Sequence, residues 1–217
     1  MKYALTILAL ALLTGVAGAA CPASDYDLYG SPLTVTGPFG NDYYNFNDGY
    51  GDTGTSAMDF NIPSALLETS VTSYGYAQST AMLDVVDDFH IVGLPDGTPV
   101  NLVVHLGLDG DGSNSMTGPA SVMGSVHDNA GHSASTTGIS YHGTLNLPLT
   151  ENAGAVFRLT FSVQSTCYLN ASTGMTGHFS FTGLPTGGTV VSCEGFVSDP
   201  TVPTRPLSWG KLKTLYH

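Results

Sequence analysis

Apolar and polar residues alternate in short runs that are cut by clusters of Gly, Pro, Asn and Asp, and a helical period is nearly absent. A period of two sends one face of an extended segment into a core and the other into water. The expected fold is therefore all-β, an antiparallel β-sandwich of the jelly-roll-like or Ig-like kind with long Gly/Asn/Asp-rich loops. In Val100 to Leu108, residues 100, 102, 104, 106 and 108 share one apolar face and His105 falls on the other. Phe157, Leu159, Phe161 and Val163 repeat the pattern, with Arg158 and Thr160 outward. Leu145, Leu147 and Leu149 form a third such face, and Pro148 within it marks an edge strand or a bulge. Tyr74 to Val86 and Phe89 to Val92 are further strands. Phe179, Phe181 and then Val190 or Val191 read as a hairpin around Gly183 to Gly188. Pro95-Asp96-Gly97 and Asp109-Gly110-Asp111-Gly112 supply turn residues, and His127 to His132 reads as a hairpin tip. Phe39 to Gly54, rich in Asn, Asp, Gly and Tyr, reads as a loop.

The two ends differ from this body. Lys2, the apolar run Ala4 to Val16 and the small residues Ala17 to Ala20 form a secretory signal peptide over 1–20, too short to span a bilayer. Cleavage after Ala19 or after Ala20 satisfies the small-residue rule. The second choice makes Cys21 the first mature residue and opens a lesser possibility, a lipoprotein anchored through Cys21. The sandwich is expected over 21–198, a Pro-rich linker over 199–206 and a basic, aromatic tail over 207–217. Trp209, Leu212 and Tyr216 in that tail share a helical face, with Lys211 and Lys213 off it, which suits a sorting or docking segment.

Without residues 1–20 the chain holds four Lys and Arg against 17 Asp and Glu, and Arg158 is the one Lys or Arg before Thr204. Such a surface repels nucleic-acid phosphates and anionic lipid; it leaves cations, neutral glycans or other envelope and matrix proteins as partners. An exported chain permits disulfides, and Cys167 with Cys193 is the expected pair, leaving Cys21 odd.

Three stretches are similar to the secreted bacterial β-sandwich proteins that carry a PEP-CTERM sorting tag: Asp87-Asp88-Phe89 with Ile91 and Gly93, Asp96 to Gly110, and Phe179 to Phe196. The resemblance spans roughly Ser70 to Phe196 and implies an exported, surface-associated or extracellular-matrix protein. It supplies no catalytic residues. The Pro-Glu-Pro motif and terminal membrane helix of that family are missing from this sequence.

Calcium is the cofactor the residues suit best, since Asp109, Asp111, Ser113 and Ser115 alternate their oxygens and hard cations take oxygen ligands; the spacing is not that of an EF-hand. Asn41, Asp42, Asn45, Asn47, Asp48 and Asp52 form a second cluster of the same kind. His105, His127, His132 and His142 are the residues that a transition metal would draw on. Tyr43, Tyr44 and Tyr50, with Phe46, suit a carbohydrate platform on which ring faces stack against sugars. Catalysis has little to stand on. Asp87, Asp88, Glu68, Glu151 and Glu194 are candidate carboxylates, yet no nucleophile elbow, zinc-protease motif or phosphate loop is present, and Asp87 and Asp88 read as solvent-facing guards of a strand edge. The sequence thus reads as an exported non-enzymatic structural or adhesive protein. A carbohydrate-binding module is the alternative, and a secreted hydrolase the second alternative.

Overall fold

The computed structural model describes residues 21–113 and 119–198, without the side chain of Ser113. Ser115, the signal segment, the linker and the tail residues Trp209, Lys211, Lys213 and Tyr216 lie outside the described residues. Thirteen strands are described: β1 (Ser24–Leu28), β2 (Ser31–Val35), β3 (Phe39–Asn47), β4 (Thr53–Asn61), β5 (Leu66–Tyr74), β6 (Gln78–Val92), β7 (Pro99–Ser113), β8 (Ala120–Asp128), β9 (Ser133–Gly138), β10 (Tyr141–Asn152), β11 (Val156–Tyr168), β12 (Ser172–Thr182) and β13 (Thr189–Ser192). They form two antiparallel sheets packed face to face, a β-sandwich. One sheet has the order β2-β1-β6-β11-β8-β9 with β13 also on β6, and the other the order β10-β7-β12-β5-β4-β3.

The alternating runs behave as their pattern predicts: residues 100, 102, 104, 106 and 108 and residues 157, 159, 161 and 163 are all buried. Pro148 lies in β10, an edge strand, where a missing N–H costs no ladder bond. Three expectations fail. Phe39 to Gly54 is no loop but β3, a turn over 48–52 and the start of β4. Its strand character is hidden because β3 is exposed on both faces and needs no apolar alternation. Asp109 to Gly112 is no turn but part of β7, paired with β12. Gly183 to Gly188 closes no hairpin, since β12 lies in one sheet and β13 in the other. That crossing is held against the β6 to β7 crossing at Gly93, where φ is +83° and an added Cβ would come within 2.0 Å of the Gly187 carbonyl oxygen.

β1 and β13 share one lane beside β6. β1 pairs with Ala81 to Asp84 and β13 with Phe89 to Val92, so the start of one meets the end of the other. There Cys21 bonds to Cys193, with a Cα–Cα distance of 5.6 Å, while Cys167 is a free, buried thiol. The Cys167–Cys193 pairing is therefore corrected, and the reason is distance. Cys167 stands opposite Ser79 and Ser192 opposite Phe89. Ser79 to Phe89 along β6 is roughly 33 Å at about 3.3 Å per residue, far beyond the reach of a disulfide. Burial pushes the Cys167 thiol pKa up, and its Sγ lies 3.4 Å from the Ser73 hydroxyl.

The core is polarised along the strands. The end near the disulfide is aromatic: Phe89 of β6 contacts the rings of Phe157, Phe161, Phe179, Phe181 and Phe196, and Phe161 stacks on Phe179 across the two sheets at 4.3 Å. Toward the opposite end the sheets meet through hydroxyls, with Thr69 and Ser165 hydrogen-bonded at 2.8 Å and Ser79 donating to the Thr72 carbonyl.

Candidate functional site

The outer face of the six-stranded sheet carries polar residues in transverse rows, set by register. His142 on β10 stands opposite Asp109 on β7, Asp109 opposite Thr176 on β12, Thr176 opposite Glu68 on β5, Glu68 opposite Asp59 on β4, and Asp59 opposite Asn41 on β3. In the neighbouring row Asp111, Gly174, Ser70, Ala57 and Tyr43 face one another in turn. Three of the five are among the smallest side chains. Gly174, Ser70 and Ala57 of the second row are therefore a floor, and Asp109, Thr176, Glu68, Asp59 and Asn41 of the first a wall, of a groove of about 380 Å³. From β7 to β3 it crosses four strand spacings of about 4.8 Å, or roughly 19 Å. Tyr43, 57% exposed, stands at its β3 end, and Phe39, 59% exposed, lies on the same face of that strand.

The opposite end holds the only group of three His, Cys, Asp or Glu ligands within reach of one ion among the described residues: Asp109, Asp111 and His142, whose ligand atoms lie within 4.8 Å of one another. His142 Nδ1 contacts Asp109 Oδ1 at 2.7 Å and its Nε2 contacts Asp111 Oδ1 at 3.1 Å. The bond to Asp109, and then the charge of Asp111, raise the imidazole pKa. When protonated, the imidazole is the counter-ion of both carboxylates, and a divalent cation taken up at this cluster would displace that proton. The sequence names the two aspartates for calcium and His142 for a transition metal but does not place them together; His142 reaches them only through the pairing of β10 with β7.

The other candidates separate. Tyr44 turns away from Tyr43 and stacks on Tyr29 at 5.5 Å, and Tyr50 is 95% exposed on the turn between β3 and β4. Tyr43, Tyr44 and Tyr50 therefore form no single platform; consecutive strand residues point to opposite faces. In the Asn and Asp cluster, Asn41 lies in the groove wall, Asn45 accepts from the Tyr43 hydroxyl, Asn47 accepts from the Gly49 N–H, Asp48 from Tyr50 and Asp52, and Asp52 from Tyr76. These are largely turn caps. Nor do the four histidines gather. His105 binds Asn146 and Thr182 on the six-stranded sheet, His127 lies on β8 of the other sheet, and His132 bonds to Asp128 in the turn after it.

The carboxylates also part company. Asp88 forms a two-point ion pair with Arg158, at 2.7 and 2.9 Å. Asp87 is no solvent-facing guard: it points into the sandwich with 0% exposure and accepts from the N–H groups of Asp88 and Glu194. It thereby pins the turn that carries Cys193. Burial raises the Asp87 pKa, and burial together with the Asp87 charge raises that of Glu194. Glu151 is raised by burial and then by Asp128. Asp128 moves the other way: burial pushes it up, but the bond from His132 and further hydrogen bonds bring it below its ordinary value.

The sign of the pH dependence follows. A carboxyl that holds its proton more tightly when folded contributes stability that is present at low pH and lost as pH rises through its folded value. Asp87, Glu151, Glu194 and the raised His142 all act in that sense, whereas the contribution of Asp128 is lost only as pH falls below the ordinary carboxylate range. The melting temperature is expected to rise as pH falls from 8 to about 5. Thermal unfolding followed by circular dichroism across that range checks this, and Asp87→Asn should flatten the slope. A melting temperature that falls steadily on acidification contradicts the assignment.

No family model and no curated protein matches the chain. Among solved structures it is similar to TmCBM61 in complex with beta-1,4-galactotriose, at 14% identity and a TM-score of 0.30, over 66% of this chain and 88% of that one. A TM-score that low carries no argument about this chain.

Proposed function

We propose that this chain is an exported, non-catalytic β-sandwich that adheres to polysaccharide through the outer face of its six-stranded sheet. The observation that supports the reading is the groove: a floor of Gly174, Ser70 and Ala57 beneath a wall of Asn41, Asp59, Glu68 and Thr176, with exposed Tyr43 at one end. Carboxylates and amides accept from and donate to sugar hydroxyls, and an exposed ring offers a face to stack on the sugar C–H groups. The length of the groove suits an oligosaccharide stretch. Among the described residues this face has no Lys or Arg, so neutral glycans fit it and sulfated or uronic polymers do not.

Export is supported by the Cys21–Cys193 bridge, which is the kind of bond an oxidising compartment maintains. It also engages the sulfur that lipidation would need, so the lipoprotein route is not part of the proposal. Among the described residues no helix is long and apolar enough to cross a membrane. Calcium at the Asp109 and Asp111 carboxylates belongs to the same proposal as a brace at the far end of the groove, where it would take the place of the His142 imidazole on their oxygens.

Affinity electrophoresis through gels holding neutral or anionic polysaccharides tests this. Retardation is expected in a neutral gel. Ser70→Trp fills the floor from an exposed position and should reduce affinity at least tenfold, and Tyr43→Ala should reduce it about tenfold, the equivalent of roughly 1.4 kcal/mol. Both variants should melt near the parent. Repeating the run with calcium and with chelator reads the brace, whose loss should weaken retention. A Ser70→Trp protein that is folded and retarded as strongly as the parent removes the groove from the proposal.

A further inference from the structure

Among the described residues β2 and β9 end one sheet and β10 and β3 the other, while β13, paired with β6, is bridged on its outer side by Val197. An open edge presents unpaired N–H and C=O groups, and proteins blunt such edges with Pro, Lys, bulges or shortness. β2 has five residues and contains Pro32, β9 has six, and β10 contains Pro148. β3 is different. It runs nine residues, FGNDYYNFN, with four aromatic rings, no Pro or Lys, and a single charge at Asp42.

The direction of its free groups can be read from one bond. The Tyr43 N–H is taken by the Asp42 side chain at 2.7 Å, so it does not face β4. N–H directions alternate along an antiparallel strand, which turns the amides of Phe39, Asn41, Tyr43, Asn45 and Asn47 to the open side. This set is symmetric about Tyr43, the middle residue of the strand, so the edge is complementary to itself under a two-fold rotation.

We infer that β3 is an assembly edge, on which a second copy of this chain lays its own β3 antiparallel to form one continuous twelve-stranded sheet. Centred on Tyr43, the pairing uses all nine residues, sets Asn41 against the partner's Asn45 and Phe39 against the partner's Asn47, and keeps the two Asp42 carboxylates from standing opposite each other. Any other register shortens the overlap, and the one centred on Asp42 juxtaposes like charges. The groove floor ends at Tyr43, so the same pairing brings two grooves end to end across the new sheet. Two features oppose the contact. Asp42 competes for the Tyr43 N–H, and both bodies are strongly acidic, so the association is weak at low salt and strengthens as salt screens it.

Sedimentation equilibrium from micromolar to near-millimolar protein, without glycan, tests the edge separately from the groove. A monomer–dimer equilibrium is expected that tightens with salt. Asn45→Pro, which removes an outward N–H and leaves the pairing with β4 intact, should weaken it at least tenfold, and Asp42→Ala should strengthen it. Amide exchange at Asn41, Tyr43 and Asn45 should slow as concentration rises. A chain that stays monomeric throughout with those amides exchanging at a constant rate, or a dimer that a folded Asn45→Pro variant leaves intact, overturns the inference; in the second case another surface makes the dimer.

Discussion

Breaking the Cys21–Cys193 bridge, by reduction or by Cys193→Ser, should lower the melting temperature of the described domain by about 10 to 15 °C. The cysteines are 172 residues apart, so the bond closes almost the whole sandwich into one loop. A loop of that length is worth about 5 kcal/mol in the chain-entropy account, and losses of about 2 to 5 kcal/mol are usual when a native bridge is removed. For a domain of this size each kcal/mol moves the midpoint by about 2 to 4 °C. The geometry adds a local reason for a large effect. β13 has only four residues and holds its place beside β6 through its own pairing, the Asp87 carboxylate at the following turn and the bridge to Cys21. Removing the bridge leaves β13 and the start of β1 free to fray together. Cys167→Ala provides the contrast, since its thiol is free of any disulfide and hydrogen-bonded to the Ser73 hydroxyl, so the effect of its loss should not respond to reductant. Thermal unfolding with and without reductant, beside a peptide map under non-reducing conditions, checks both. A map that joins Cys167 to Cys193, or a midpoint that reductant does not move, would sink the prediction.

Alternation made the core strands legible because their two faces meet different solvents. β7 could be read from Val100 to Leu108 and β11 from Phe157 to Val163, His105 and Arg158 included, since each lies between two neighbours with one face in the core. β3 was illegible for the same reason, being an edge strand exposed on both faces that leaves no hydrophobic period to detect. The disulfide was illegible because it depends on two short strands sharing one lane, a fact of topology that no local spacing records. Asp87 and Asp88 look equivalent in sequence, yet one is sealed inside and the other pairs with Arg158, because adjacent strand residues face opposite ways. The groove shows the same limit. Ser70, Ala57 and Gly174 carry no chemical signal of their own, and the site exists only as a depression between rows contributed by different strands. What sequence supplied was chemistry, in Tyr43, Asp109 and Asp111; register supplied the neighbours that give those residues a shape.

Phe89→Ala should cost about 3 to 5 kcal/mol, the second of the two largest losses expected. The ring has 0% exposure and meets five others drawn from both sheets and from the segment after β13, at centroid distances from 5.4 to 6.2 Å. Its neighbours are held by their own strands and cannot close in, so truncation leaves a cavity as well as lost transfer energy. Phe89 is also the β6 residue opposite Ser192, so the loss falls next to the turn that carries Cys193. The hydroxyl end of the core should behave differently. Replacing Thr69 by Val and Ser165 by Ala together removes both members of a buried hydrogen bond and should be nearly neutral, whereas Ser165→Ala alone strands the Thr69 hydroxyl and should cost about 1 to 3 kcal/mol; Thr69→Val alone should cost less, since Ser165 Oγ still reaches the Thr69 carbonyl at 3.5 Å. Urea unfolding of the four variants measures the contrast. If Phe89→Ala costs less than the single hydroxyl changes, the aromatic end is not where the two sheets are chiefly held together.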